Sequence, residues 1–327
     1  MLQNCNAIIY LANKLKEIPP QIIHQANIKN PWFTEEFIKL AAVNWSNTLS
    51  EDNLNEWTKT IAIPSKKIKV GIIMAGNIPF VGLQDLLCVL VSGHKAVVKL
   101  SSQDEVLMKY AIQSLLESGY INENDIELND KMNEVEKIIA TGSNNSARYF
   151  EYYFKNIPHI IRKNRTSLAV LSGNETDDEL LSLADDIYQY FGLGCRNVSH
   201  LMIPQNMDLH RLYTAYDKYI DIVNHHKYYN NYTYHKAILL MNLTKHYDNG
   251  FMLFQEKEDF NAPIATLNYH YYQDIKDVHN YINQHSEQWQ CVTSNMDLNY
   301  PSIKLGQTQT PSLSDYADNV NVLEFLK

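Results

Sequence analysis

The chain has 327 residues, 45% of them hydrophobic, and its 28 basic side chains face 37 acidic ones, a net charge of −9. That length builds one large or two medium domains, and the acidic balance excludes a partner gripped through a phosphate backbone, since such affinity comes from clustered Lys and Arg. Four cysteines without a CxxC pair exclude a disulfide-stapled secreted scaffold and a zinc ribbon.

Three segments with helical spacing open the chain, around Ile8–Leu15, Glu35–Trp45 and Leu54–Ile61, with Thr34 as N-cap of the second. Lys14 and Lys16 follow the first apolar positions, which is not the layout of a signal peptide. From Ile68 the pattern changes. Ile68–Ala75 is a short continuous apolar run, as in a strand buried on both faces. Pro79 is expected to open a helix through Leu83–Val91, and Lys95–Leu100 is the next strand. Ser102 and Glu105 read as a capping box for a helix to about Leu116. Asn122–Asn133 reads as a loop with a short strand, Val135–Thr141 as a strand, and Asn144–Phe154 as a helix. The apolar stretch Val70–Leu100 is broken by Asn77, Pro79, Gln84, Asp85 and His94, well short of the roughly 20 residues of a membrane span. The rhythm then restarts. Ser167–Leu171 is a strand, Thr176 with Glu179 caps a helix to about Tyr190, Ser199–Ile203 is a strand, and Met207–Val223 has helical spacing. Two runs of alternating strands and helices predict an α/β fold with two doubly wound parallel-sheet domains, divided in the charged stretch Pro158–Thr166.

Neither GxGxxG nor a P-loop is present; Gly192-Leu193-Gly194 fails because Asn197 stands where the third glycine belongs. Cys195, in FGLGCRN, lies between a helix and a strand. Its two glycines admit close backbone approach and Arg196 favours a thiolate, which makes a nucleophile; the other reading is a buried structural thiol. Cys88, inside LLCVLV, fits that second reading, while Cys5 and Cys291 have no special context. Asn77, in AGNIP, leaves the C-terminal end of the first buried strand, where open α/β sheets place ligands. It reads as an oxyanion donor or as an ordinary turn residue. Lys99 with Ser101 and Ser102, and Thr141-Gly142-Ser143, each put hydroxyls at a helix start, as a phosphate site or a solvated cap would. His159, Arg162, Lys163 and Arg165 form a basic cluster, read as a solvated boundary or a phosphate clamp. The 12 histidines show no HxxxH or HExxH, so no metal is expected. Tyr228–Tyr234 reads as a packed amphipathic surface.

AGNIP, DLLCVLVSGHKAVVKLSS, TGSNNSARYFEYYF, PHIIRKNRTSLAVLSGNET and YFGLGCRNVSHL, in that order, resemble the long-chain acyl-CoA reductase family. That family includes the fatty-acid reductase of bacterial luminescence and belongs to the aldehyde dehydrogenase superfamily. The resemblance runs from about Ile68 to Leu267 and returns in Leu305–Asp318. It implies an aldehyde-dehydrogenase-like fold whose nucleotide domain lacks the glycine fingerprint. The domains would be residues 1–165 (N-terminal helices and NADP-binding domain), 166–310 (catalytic domain) and 311–327 (C-terminal tail). It implies Cys195 as nucleophile and Asn77 as oxyanion donor. Lys99, Ser101, Ser102, Thr141, Gly142 and Ser143 would bind the cofactor, and Asp259 would take the place of a ribose-binding glutamate.

Two departures shape the expected reaction. The water-activating glutamate of aldehyde-oxidising relatives aligns with Val170, which favours exchange of an acyl-cysteine with a thiol such as CoA over hydrolysis. A carboxylate common in NAD-preferring relatives aligns with Ser102, which favours NADPH, with NADH the alternative. The expectation is a cytoplasmic, homo-oligomeric oxidoreductase that reduces a fatty acyl-CoA to an aldehyde. Its partners would include neither nucleic acid nor an integral membrane. The rivals are an acyl-cysteine transferase or thioesterase, with Glu175 or His200 as base, and a non-catalytic acyl- or nucleotide-binding protein.

Overall fold

Four helices come first in the computed structural model, which describes residues 3–59, 61 and 64–327. They are α1 (Gln3–Lys16), α2 (Pro20–Lys29), α3 (Glu35–Thr48) and α4 (Glu51–Thr58). Thr34 accepts the Phe37 N–H and so caps α3 as expected, and Ser50 caps α4 in the same way. α2 escapes sequence reading because only Ile23 and Ala26 of its residues are buried, too few to set a period. The third expected helix ends at Thr58; of the positions beyond it, Thr60 lies outside the described residues.

Strands and helices then alternate: β1 (Lys69–Ile73), α5 (Leu83–Val91), β2 (Lys95–Lys99), α6 (Glu105–Glu117), β3 (Ile126–Leu128), β4 (Lys137–Thr141), α7 (Asn144–Tyr153) and β5 (His159–Arg162). The five strands form one sheet in the order β3-β2-β1-β4-β5, every neighbouring pair parallel. Val70, Ile72, Val97, Ile138 and Ile139 are almost wholly buried, which is why these runs read as continuous rather than alternating. Three expectations need correction. α5 begins at Leu83, not Pro79, because Phe80 takes a left-handed conformation (φ 59°) and breaks the helical path. Ser102 does not cap α6; the N-cap is Asp104, whose side chain makes no cap bond. The basic cluster in Pro158–Thr166 is not solvated throughout: the units divide after Asn164 as expected, but β5 runs through the stretch and buries Ile160 and Arg162.

A second unit spans Arg165–Thr310. It contains β6 (Thr166–Val170), α8 (Asp177–Tyr188), β7 (Val198–Pro204), α9 (His210–Tyr216), α10 (His226–Met241), β8 (Tyr247–Asp248), β9 (Leu253–Glu256), β10 (Thr266–Tyr272), α11 (Ile275–Gln284) and β11 (Trp289–Thr293). The Thr176–Glu179 capping box opens α8 as expected. The sheet order is β11-β6-β7-β10-β9-β8, and it is mixed, because β8 pairs antiparallel with β9. On one side Leu168, Val170, Met202, Val278, Ile282 and Trp289 form the core. Tyr228 and Tyr232 of α10 are buried while Tyr229 and Tyr234 are exposed. From Pro311 the chain rejoins the first unit. There Lys137 Nζ donates to the Phe325 carbonyl (2.8 Å) in the closing helix α12 (Val322–Leu326).

The charge of Arg162 is taken inside the first unit. Its guanidinium donates twice to Asp85 of α5, at 2.5 and 2.9 Å, with both side chains under a tenth exposed. Two partly matched buried charges contribute little net stability, yet removing one strands the other in a low-dielectric interior. Arg162→Met should therefore cost about 3–5 kcal/mol in urea unfolding. The Asp85→Leu/Arg162→Met pair should recover most of it. A double variant no better than Arg162→Met alone would show that packing, not the stranded carboxylate, carries the loss.

Candidate active site

In a parallel sheet wound in both directions from its middle, the crevice for ligands opens where neighbouring strands send their connections to opposite sides. Here that point lies between β1 and β4. Ile73 of β1 is in register with Lys99 on one side and Ala140 on the other. The C-terminal edge of the sheet thus presents, in order, Lys99, the Ala75–Asn77 turn, and Thr141-Gly142-Ser143. Six of the seven residues expected to hold a cofactor, together with Asn77, sit along this one edge.

The local structure suits an anion. Lys99 is exposed at the end of β2 and forms no ion pair among the described residues. Ser143 caps α7 by accepting the Ser146 N–H, and the first turn of α7 carries no acidic residue, so its amide dipoles stay unopposed. A Cβ on Gly142 would lie 2.9 Å from Ser146 Cβ and 3.0 Å from Phe150 Cε2, so only glycine lets the chain pass this close to the helix. Asn77 is half-buried, between the buried Gly76 and Pro79. Ser101 packs against Gly76, and its hydroxyl accepts the Gln103 N–H (3.3 Å). Ser102 is exposed.

Cys195 belongs to the second unit, half-buried in the loop between α8 and β7. That loop is strained. Tyr190, Phe191 and Gly192 run successively left-handed (φ 53°, 58° and 73°), a conformation that L-residues with bulky side chains avoid. Asn197 holds it. Its amide N–H₂ is shared among the carbonyls of Asp186 (3.0 Å), Ile187 (3.4 Å) and Gln189 (2.9 Å), and its oxygen accepts the Gly194 N–H (2.8 Å). The residue that spoils a glycine fingerprint is the one that ties the end of α8 to the cysteine loop.

Ser167 and Cys291 complete the setting. The Ser167 hydroxyl donates to the Cys195 carbonyl (3.0 Å). Its one hydrogen being spent there, the Cys291 thiol must donate to Ser167 Oγ (3.1 Å). Burial pushes the Cys291 thiol up to about 11, against the pull of Arg196, so it stays protonated. Cys291 thus has a context that its flanking sequence did not reveal, because β11 meets β6 only through the sheet. Cys88 is the buried structural thiol expected, raised well above its ordinary value by burial.

Other expectations change. Val170 is fully buried, paired with Met202 and packed in the core with Val278 and Ile282, three residues along β6 from Ser167. It is a core residue at the opposite end of the strand from the cysteine loop. Glu175 is committed to the turn after β6, accepting from Ser172 N, Ser172 Oγ and Gly173 N. His200 also has both nitrogens engaged. Nδ1–H donates to the Asp259 carbonyl (2.9 Å), which obliges His270 Nδ1–H to donate to His200 Nε2 (2.6 Å). Asp259 itself lies beyond β9, its carboxylate paired with Lys257 Nζ (2.7 Å), whose hydrogen bond holds the carboxyl below the usual carboxylate range. Asp186 of α8, missed from sequence, accepts from Gly306 N, Thr308 N and Thr308 Oγ1 at 2.7–2.9 Å and so anchors the Leu305–Gln309 stretch. A cavity of about 880 Å³ lined by Trp57, His94, Lys137 and Tyr316 lies at the N-terminal edge of the first sheet, away from the edge that carries Asn77. Among the described residues no cluster of His, Cys, Asp and Glu could hold a metal, and no helix is long and apolar enough to cross a membrane.

Two buried groups of the second unit titrate in opposite senses. Burial lowers His200 to about 4 and raises Asp186 to about 6. Lowering the folded value of His200 makes its contribution fade as pH falls from 6.5 to 4. Raising that of Asp186 makes its contribution greatest below 3.8 and lost as pH rises to 6. Each shift corresponds to roughly 3 kcal/mol, so between pH 4 and 6 they largely cancel. Asp186→Asn should unmask the histidine, giving a stability that drops more steeply from pH 6 to 4 than that of the unmodified protein. Parallel denaturation midpoints for the two proteins across that range would refute the compensation.

No protein-family description and no curated protein matches the sequence. Among solved structures the chain is similar to an aldehyde dehydrogenase of Bacillus cereus in complex with NAD+ (12% identity, TM-score 0.62, spanning 89% of this chain and 71% of that one). It is also similar to an NADP-dependent enzyme of E. coli (13% identity, TM-score 0.66, 91% and 74%). A third is an NAD-dependent benzaldehyde dehydrogenase of Corynebacterium glutamicum (12% identity, TM-score 0.65, 89% and 76%). The chain has the α/β fold of the aldehyde dehydrogenases.

Proposed function

We propose that the protein is an oxidoreductase that uses a nicotinamide nucleotide to reduce a fatty acyl-CoA thioester to an aldehyde. The Cys195 thiolate attacks the thioester carbonyl, the C–S bond to CoA breaks, and CoA leaves as a thiolate that takes up one proton from solvent. The oxyanion of the tetrahedral adduct is stabilised by the Asn77 amide and the Cys195 backbone N–H. The chemistry that a bound nicotinamide would supply is hydride donation to the acyl-cysteine carbonyl, which would give a thiohemiacetal on Cys195. Collapse of the adduct's oxyanion frees the aldehyde and restores the Cys195 thiolate. Lys99, Ser101, Ser102 and the α7 N-terminus at Thr141-Gly142-Ser143 would grip the phosphates, and Asp259 a ribose. NADPH is the preferred form in this reading. Ser102 brings no charge against a 2′-phosphate, and Glu105 at the start of α6 is neutralised by Lys109 and Lys29. The assembly would be a cytoplasmic homo-oligomer, with residues up to 165 serving the nucleotide, 166–310 the cysteine, and 311–327 a tail.

The commitment of Glu175 and His200 to other partners carries this choice over a thioesterase, because both bases on which hydrolysis could rely are already engaged. A second reading has a specific support in the names of the similar structures, which are dehydrogenases of aldehydes: the same residues could run the reaction toward the acyl-thioester. Following NADPH loss and aldehyde formation with acyl-CoAs of several chain lengths, and the reverse with aldehyde, NADP+ and CoA, separates the two directions. Cys195→Ala should abolish turnover and acyl-enzyme formation while NADPH still binds. Asn77→Ala should lower kcat about 10²–10³-fold with little change in KM. Acyl-enzyme persisting in Cys195→Ala, seen by intact mass, would move the nucleophile elsewhere.

Cofactor choice tests the phosphate grip separately. Ser102→Glu should narrow or reverse the preference for NADPH over NADH, read as the ratio of the two kcat/KM values. Equal use of both by the unmodified protein would remove the argument from Ser102.

A further inference from the structure

Asp104 stands at the N-cap of α6, where an aspartate ordinarily accepts from its own helix, yet its side chain makes no such bond. Instead Oδ2 accepts the Phe80 N–H at 2.8 Å, across 24 residues of chain. The carboxyl is 2% exposed, and its second oxygen has no hydrogen-bond partner. Phe80 itself is completely buried and left-handed (φ 59°), a conformation that a bulky residue keeps only when its surroundings impose it. The two loops are clasped elsewhere as well. A Cβ on Gly76 would lie 2.4 Å from Ser101 Oγ and 3.0 Å from the Asp104 backbone nitrogen. The Gly76–Phe80 turn is therefore held at both ends by the 101–104 turn, once by close packing and once by the Asp104 carboxyl.

We propose that Asp104 is the positioning residue of the turn that carries Asn77, its buried carboxyl imposing the left-handed step at Phe80 that sets the path of Asn77-Ile78-Pro79. The inference rests on the oxyanion role of Asn77. Burial with a single donor raises this carboxyl well above the ordinary aspartate range, so it works as a neutral acceptor rather than as a charge. An amide oxygen can replace it; an alkyl group cannot.

The experiment compares Asp104→Asn, Asp104→Leu, Asn77→Ala and the Asn77→Ala/Asp104→Leu pair in acyl-CoA reduction by the full chain. Asp104→Asn should keep kcat within about threefold. Asp104→Leu, of similar size but with no acceptor, should lower kcat about 30-fold with KM for NADPH within about twofold. The double variant should be no slower than Asn77→Ala, because both changes remove the same interaction. Equal damage by Asn and Leu, an active Asp104→Leu, or losses that multiply in the double variant would each overturn the proposal. If Asn77→Ala is itself fully active, the oxyanion reading fails instead, and the two failures are told apart by that single variant. Should Asp104→Leu not fold, hydrogen exchange on the unmodified protein reads the bond directly: strong protection of the Phe80 amide, retained in Asp104→Asn, is expected. Exchange at the rate of an open loop would overturn it.

Discussion

Parallel strands cannot be joined by tight turns; each must return through a crossover, and in nearly all proteins that crossover is right-handed. In the first unit this constraint sends every strand's C-terminal end to the same edge of the sheet, and the order β3-β2-β1-β4-β5 makes the winding reverse at β1 and β4. The groups that matter for a phosphate or an oxyanion, Asn77, Lys99 and Ser143, are far apart in sequence. They become neighbours because β1 is hydrogen-bonded to both β2 and β4. Lys99, Asn77 and Ser143 share an edge as a consequence of topology before any of their own interactions is counted.

The cysteine loop answers a different demand. Cys195 precedes β7 rather than following a strand, so no sheet edge presents it; its place depends on the end of α8. A helix that stops leaves carbonyls without partners, and three successive left-handed residues add backbone strain. Asn197 meets both needs with one side chain, collecting the carbonyls of Asp186, Ile187 and Gln189 and returning to Gly194. Tyr190 and Phe191 are 5% exposed, and Phe191 packs against His225 with ring centroids 4.3 Å apart, so burial offsets part of the strain. The glycines beside Cys195 are one part of this arrangement, and Asn197 is the part that a search for glycine spacing discards.

What the sequence discloses follows from how local the physics is. Buried parallel strands announce themselves as apolar runs, and the caps at Thr34, Ser143 and Thr176 are side chains bonding three residues ahead, so Ile68–Thr141 and α8 are legible. The start of α5 is not, because the left-handed step at Phe80 is imposed by Asp104 from 24 residues away. Ser102 mimics a cap for the same reason, since the residue that occupies the cap position turns its carboxyl elsewhere. β5 is hidden behind charge: Arg162 reads as solvated until its partner Asp85 is seen 77 residues earlier. Cys291 and Ser167 meet Cys195 only through sheet pairing and a loop, and Val170 lies at the other end of β6 from Ser167. The division of the chain follows the same logic. Charge marks the change near Asn164, but nothing in residues 311–327 tells that they return to the first unit.

Three buried aspartates carry this architecture, and the donors they meet differ in number and in charge. Asp85 receives two bonds from a guanidinium, whose charge balances it, and ties β5 to α5. Asp186 receives three neutral donors and anchors the stretch from Leu305; they stabilise the carboxylate without fully offsetting its burial, which leaves it near 6. Asp104 receives one, and burial then favours the protonated acid. All three bridge segments distant in sequence, and none lies at the reacting centre proposed here. Buried carboxyl groups are thereby spent on fixing the fold, while the reaction itself is left to a thiolate, an amide and backbone N–H groups. That division suits thioester chemistry: a carboxylate free beside an acyl-cysteine would activate water, and one that is buried and bonded cannot.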